Sequence, residues 1–226
     1  MNTKTFCDLR NTVSTTGFKT IGTLAAALLL CGCLFAPSAI ASIYTLNPSG
    51  NITANSSVFP TGGTLVGSNA FAFSSGTLDG NILSLVYQGD PSNPYGGLTF
   101  TYSVALNPSS VDSLSELTVG SYAGFSTDVS YNSSGGAAPS NFSRTSGSGD
   151  TLHFFFSNSN GGILPGQPGD TIVVQTGASN FQTAMGGVID SIPANVSVLA
   201  PVPEPAIGSL LLTGLGMFFF RRRASK

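Results

Sequence analysis

Three observations predict an all-β fold for the middle of this 226-residue chain. Thr99 to Leu106 alternates strictly, with Phe100, Tyr102, Val104 and Leu106 on one face and Thr99, Thr101, Ser103 and Ala105 on the other, which is the period of a half-buried strand. Further short apolar runs recur at a spacing of roughly 10 to 20 residues, separated by clusters of Gly, Asn, Asp, Ser and Pro that supply turn conformations. No stretch between Ser42 and Ala200 sustains a helical period with capping signals. Strands of this length and spacing predict an antiparallel β-sandwich, jelly-roll-like or immunoglobulin-like, in which two sheets bury alternate side chains. A β-helix solenoid is the alternative, and the lack of a fixed internal period counts against it. Apolar segments at both ends add an N-terminal signal helix and a short C-terminal transmembrane helix.

The first segment is a leader. Lys4, Arg10 and Lys19 precede an apolar run from Ile21 to Phe35, and Ala39-Ile40-Ala41 supplies the small-x-small pattern that signal peptidase cuts. Residues 1–41 therefore form a signal peptide, and Ser42 becomes the first mature residue. A competing reading is the lipobox-like Leu30-Cys31-Gly32-Cys33, in which Cys33 would be lipidated; Cys31 is out of place there, and the later cleavage site is good.

The domain that follows, 42–194, carries strand candidates at Ser42–Leu46, Thr64–Phe73, Ile82–Tyr87, Thr99–Leu106, Leu117–Tyr122, Asp128–Tyr131, Leu152–Phe156 and Thr171–Val174, with Val196–Ala200 beyond it. Turns are expected at Asp79-Gly80, Gly89–Gly97, Asn132–Pro139 and Asn160–Gly169. Residues 195–202 are expected to serve as an extended linker, because Pro193, Pro201, Pro203 and Pro205 stiffen the neighbourhood.

Residues 203–226 combine three elements: Pro203-Glu204-Pro205, an uncharged run from Ala206 to Phe220, and Arg221-Arg222-Arg223 with Lys226 behind it. As a helix the run covers roughly 22 Å against a hydrocarbon core of about 30 Å, so it is a marginal span suited to temporary anchoring. The arginines place that end in the cytoplasm and everything before Pro203 outside. A buried C-terminal helix is the bland alternative, and three consecutive arginines at its end argue against it. This order of elements resembles the PEP-CTERM sorting signal of bacterial surface proteins. The resemblance implies recognition and cutting by a membrane exosortase, and an outer-membrane bacterium with an exopolysaccharide-producing, biofilm-type lifestyle. More loosely, Leu85-Val86-Tyr87 through Gly96-Gly97-Leu98-Thr99-Phe100-Thr101-Tyr102, then Gly124 to Val129, Pro165 to Gly169 and Gln175 to Ala178, look like the bodies of uncharacterised PEP-CTERM domain proteins, which carry no active site to transfer.

Cys7, Cys31 and Cys33 all precede Ser42, so the mature domain has no disulfide framework, thiol nucleophile or thiolate metal site. Between Ser42 and Ala200 there are eight acids (Asp79, Asp90, Asp112, Glu116, Asp128, Asp150, Asp170 and Asp190) against one base, Arg144, and no lysine. A surface of this kind cannot neutralise phosphates, which excludes nucleic acid as a partner, and it is compatible with divalent cations and neutral glycans.

Candidate chemistry is sparse. His153 is the only histidine, and the mature domain has no Gly-x-Ser-x-Gly elbow. Glu116 is the only glutamate before the tail, whereas glycosidases use two facing carboxylates. The aspartates fall singly in expected turns, the pattern of solvated loop carboxylates. No cofactor is expected. Calcium is the one ion that the oxygen-rich loops at Asp79-Gly80-Asn81, Gly89 to Asn93, Asn158 to Gly162 and Gly169-Asp170 suit, although none has EF-hand or nonapeptide spacing. Of the tyrosines Tyr87, Tyr95, Tyr102, Tyr122 and Tyr131, Tyr95 is the best candidate for an exposed sugar-stacking ring, whereas Phe100, Phe154 and Phe156 belong in the core. The expectation is a non-enzymatic, exported protein, held briefly in the inner membrane and then sorted to the surface. There it serves as a structural or adhesive component of the polysaccharide matrix, with exosortase-type enzyme, signal peptidase and extracellular polysaccharide as partners. The alternatives are a carbohydrate-binding module and a secreted hydrolase.

Overall fold

In the computed structural model, residues 44–57, 62–156, 161–190 and 193–202 are described. They form eleven strands: β1 (Asn51–Thr53), β2 (Thr64–Ser75), β3 (Leu78–Gln88), β4 (Thr99–Leu106), β5 (Glu116–Val119), β6 (Thr127–Asn132), β7 (Asn141–Arg144), β8 (Leu152–Phe155), β9 (Thr171–Thr176), β10 (Phe181–Ile189) and β11 (Ala194–Pro201). The strands pair antiparallel in two sheets, one ordered β1-β7-β8-β5-β10-β11 and the other β2-β3-β4-β9-β6, and no helix occurs among the described residues.

Period-2 alternation decides which faces are buried. On β4 the predicted row Phe100, Tyr102, Val104 and Leu106 points inward, and on β8 Leu152 and Phe154 do the same, with Phe156 just beyond. The two inward faces meet in one hydrophobic cluster. Phe154 lies at its centre, edge-on to Phe142 at 5.7 Å and tilted over Tyr102 at 6.3 Å. Such aromatic pairs add about 0.5–1.5 kcal/mol each beyond their buried area.

Several expectations are revised. Asp79-Gly80 is not a turn; it lies inside β3, and the hairpin turns three residues earlier at Gly76, whose φ is 64°. Gly80 sits in the strand because a Cβ there would come within 2.7 Å of the Phe73 ring and 2.5 Å of the Ala105 carbonyl. Residues 195–202 are not a linker. Alternating Val196, Val198 and Ala200 drive this segment into the core as β11, which pairs with β10 from Phe181↔Pro201 to Val188↔Ala194. Ser42–Leu46 contributes a single bridge, Thr45 to Asp128, with 42–43 outside the described residues. β1, β7 and β10 were unforeseen. The signal helix and the transmembrane helix fall outside the described residues.

Two polar seams join the sheets. On one side, Arg144 at the end of β7 is buried, and all five of its N–H groups donate: Nε to the Gly149 carbonyl (2.6 Å), one terminal nitrogen to the Leu46 carbonyl and Thr127 Oγ1 (3.0 and 3.1 Å), and the other to the carbonyls of Tyr122 and Phe125 (2.6 and 2.9 Å). Gly149 is required there, since a Cβ would come within 2.7 Å of Arg144 Nε. On the other side, the free edge of β11 is capped by side chains of the opposite sheet. Asn69 Nδ2 donates to the Ser197 carbonyl (2.9 Å), the Leu199 N–H donates to Ser84 Oγ (3.0 Å), and Tyr102 donates its hydroxyl hydrogen to the Leu199 carbonyl (2.8 Å) while accepting from the Tyr122 hydroxyl (2.6 Å). Burial pushes the hydroxyl pKa values of both tyrosines up, so each stays a neutral donor.

Removing the Arg144 fork takes the donor from the carbonyls of Gly149 and Phe125 and one of two donors from those of Leu46 and Tyr122, and an unsatisfied group of this kind costs on the order of 1–3 kcal/mol. Arg144→Met is expected to lose at least about 3 kcal/mol of unfolding free energy in urea, and Arg144→Lys, with three donors in place of five, recovers only part of it. A loss below about 1 kcal/mol for the methionine variant would contradict this role.

Candidate functional site

The outward face of the six-stranded sheet gathers the residues that sequence singled out separately. Because Ile52, Phe142, Phe154, Leu117 and Val188 form one inward row, the neighbouring rows face out. One of these rows is Asn51, Ser143, His153, Thr118 and Gly187; the other is Thr53, Asn141, Phe155, Glu116 and Ile189. His153 on β8 is diagonal to Glu116 on β5, and its Nδ1–H donates to Glu116 Oε1 at 2.6 Å. The imidazole lies parallel to the Phe155 ring, with 6.2 Å between centroids and 9° between planes. The carboxylate fixes the tautomer and orientation of the ring and leaves Nε2 as its other nitrogen. Ser143 is directly across from His153, but no hydrogen bond joins its hydroxyl to the ring. The result is an oriented His-Phe plate, held by the Glu116 carboxylate, on a face made largely of amides and hydroxyls. The pairing was hidden in sequence because Glu116 and His153 are 37 residues apart, and only the β5-β8 register brings them together.

The aspartate loops are built differently from the solvated turns expected of them. Asp90 is buried: one carboxylate oxygen accepts from the Ser92 N–H (3.0 Å) and the Ser92 hydroxyl (2.5 Å), and the other from Thr99 Oγ1 (2.9 Å) and Gln175 Nε2 (3.3 Å). Desolvation by burial raises its pKa, but these four hydrogen bonds together outweigh it and hold the carboxyl below its ordinary value of 3.8. Asp170, also buried, accepts from the N–H groups of Ser134 and Gly136, both at 2.9 Å, and from the Ser134 hydroxyl at 3.3 Å. Both carboxylates thus serve as anchors for their own loops. Among the described residues no three His, Cys, Asp or Glu side chains converge as a metal cluster; 158–160 lie outside them. A cleft of about 370 Å³ beside the Asp170 loop is lined by Gly135 to Ala138, Gly162, Gln167 and Pro168, without an ionisable group.

Of the tyrosines, Tyr102 and Tyr122 are fully buried and unavailable for stacking. Tyr87, Tyr95 and Tyr131 are half-buried, and the Tyr95 hydroxyl is 3.5 Å from Thr45 Oγ1. The alternation of Leu152, Phe154 and Phe156 with His153 and Phe155 set Phe155 on the outward face, but Tyr95 and not Phe155 was the stacking candidate in the sequence. The leader residues Cys33, Ala39, Ala41 and Ser42 and the tail residues Pro203, Glu204, Pro205, Arg221, Arg222 and Arg223 lie outside the described residues.

The Asp90 anchor has a pH signature. A carboxyl whose folded pKa is depressed contributes stability that is fully present above its unfolded value and is lost as pH falls through the folded value. Unfolding free energy of the wild-type chain is therefore expected to drop as pH goes below about 4. Asp90→Asn, which sets an amide against the Thr99 and Gln175 donors, should be less stable at pH 7 and lose less on acidification. Parallel pH profiles for the two proteins in urea melts would reject the anchor. Comparison with protein-family models, with curated proteins and with solved structures finds no match to this chain.

Proposed function

We propose that this chain is an exported, surface-sorted, non-enzymatic protein whose β domain, a jelly-roll-like or immunoglobulin-like β-sandwich, is a structural or adhesive component of an extracellular polysaccharide matrix. The observation that carries the reading is the pairing of two opposed ends: a basic, then apolar leader closing in Ala39-Ile40-Ala41, and a tail running from Pro203-Glu204-Pro205 through fifteen uncharged residues to Arg221-Arg222-Arg223. The tail resembles the PEP-CTERM sorting signal, which makes an exosortase-type enzyme its processing partner. The domain between them supports the reading in two ways. Its two antiparallel sheets share a single core, as a sandwich requires. Its one base and two of its acids hold loops and seams in place.

A second reading, glycan binding on the outward face of the six-stranded sheet, is favoured by the His153–Phe155 plate flanked by Asn51, Asn141, Ser143 and Thr118. An apolar ring beside hydroxyls and amides suits a neutral sugar. Retardation in gels that contain neutral polysaccharide should fall at least tenfold in Phe155→Ala under this reading, about 1.4 kcal/mol of binding; equal mobility of the two proteins would discard it.

Sorting is tested in the cell. With the tail as address, Glu204→Ala and deletion of Arg221 to Arg223 are each expected to leave the protein in the inner-membrane fraction, or to misplace it, with little reaching the surface. Unchanged processing and surface yield in both variants would reject the proposal.

A further inference from the structure

The four sheet edges are treated unequally. β1 is only three residues long. The edge of β6 is occupied by the chain at 44–57, which exchanges backbone hydrogen bonds with Thr127, Val129 and Tyr131. The edge of β11 is capped by Asn69, Ser84 and Tyr102. Among the described residues β2 alone is a long edge without a second strand beside it: twelve residues without a charge or a proline. Among the described residues, the backbone from Thr64 to Ser74 finds strand partners only in β3. Proteins ordinarily blunt such edges with Lys, Pro, covering loops or bulges, and the one bulge here, between Leu65 and Gly67, leaves the nine residues from Gly67 to Ser75 in regular register.

The outward row of this stretch is its own antiparallel complement, whereas on the inward row the same twofold sets Asn69 against Phe73. Ser68, Ala70, Ala72 and Ser74 lie on the outward face and read the same in both directions about Phe71. A second β2 laid antiparallel with a twofold axis at Phe71 sets Ala70 against Ala72, Ser68 against Ser74, and Phe71 against Phe71 of the other copy. Phe71 sits on the inward side opposite Ile82, yet it remains 37% exposed. An aromatic pair across the twofold would bury it. Leu83, 39% exposed and opposite Ala70 on β3, would then lie beside the row of small residues. The eight acids of the domain do not oppose this approach, since none lies on β2 and the nearest in register, Asp79, is one strand behind Ser74.

We infer that β2 is a self-association edge through which two copies of this chain pair antiparallel about Phe71, joining their five-stranded sheets into one continuous ten-stranded sheet. Such an isologous contact closes on itself and gives a dimer. It depends neither on sorting nor on a matrix role, so it stands or falls separately from them.

Sedimentation velocity of the full chain in nonionic detergent, over roughly a hundredfold range of concentration, tests it. The wild-type chain is expected to shift from monomer to dimer across the range. Phe71→Lys should stay monomeric, with the melting temperature of the dilute wild-type protein. A second test does not depend on the lysine variant folding. With Cys7, Cys31 and Cys33 replaced by Ser, Phe71→Cys should form a disulfide-linked dimer on mild oxidation, whereas Val111→Cys, at a site 73% exposed, should not. A wild-type chain that remains monomeric, a dimer that persists in Phe71→Lys, or equal cross-linking at the two cysteine sites would each overturn the inference.

Discussion

The buried guanidinium of Arg144 is the interaction on which one side of this domain depends. It is the only base between Ser42 and Ala200, it stands on an inward position of a strand, and its five hydrogen bonds reach Leu46, Tyr122, Phe125, Thr127 and Gly149. Taking a charge out of water costs several kcal/mol unless every donor is matched. Here every donor is matched, four of the five by backbone carbonyls of irregular chain. One side chain thereby fixes the N-terminal segment, the β5–β6 connection and the β7–β8 hairpin relative to each other. A domain without cysteine has no covalent way to do this.

The opposite side uses uncharged groups to the same end. The tyrosine pair, Ser84 and Asn69 satisfy the outer edge of β11 from the facing sheet, so the last strand before the tail is held by both its neighbour β10 and the layer beneath. This matters for a domain read as delivered by its C-terminal end, because any pull on the tail acts first on β11. Asp90 and Asp170 are likewise turned inward to hold loops. What remains for contact on the two faces described above is the uncharged strand β2 and, around His153 and Phe155, rows of amides and hydroxyls that carry the one carboxylate of Glu116.

Much of this was legible in the sequence where burial follows a period of two. β4 and the inward face of β8 were readable residue by residue because large apolar side chains recur at every second position, Phe100 to Leu106 and Leu152 to Phe156. β7 was invisible because its inward positions are Phe142 and Arg144, and an inward arginine breaks the apolar code. β10 was hidden by Gly186 and Gly187, although Gly186 is needed because a Cβ there would come within 2.6 Å of the Thr118 carbonyl. Pro201 and its neighbours suggested a linker, yet proline is tolerated at the end of an edge strand, where its missing N–H faces no ladder partner. Asp79-Gly80 misled for a related reason: the glycine makes room for an aromatic ring instead of turning the chain. The Glu116–His153 pair depends on strand order, which composition and periodicity do not encode. The two ends of the chain lie outside the described residues, and their reading as leader and sorting tail rests on residue order alone.

The central claim, an exported domain sorted by its tail, is tested most directly by the intact mass of the protein recovered from the medium and from the membranes of a bacterial host that carries the matching sorting enzyme. The account predicts a species that begins at Ser42 and ends near Pro203 to Pro205, with or without added mass at the new C-terminus. A protein that retains Arg221 to Lys226 in both fractions, or one that begins at a lipidated Cys33, would contradict it.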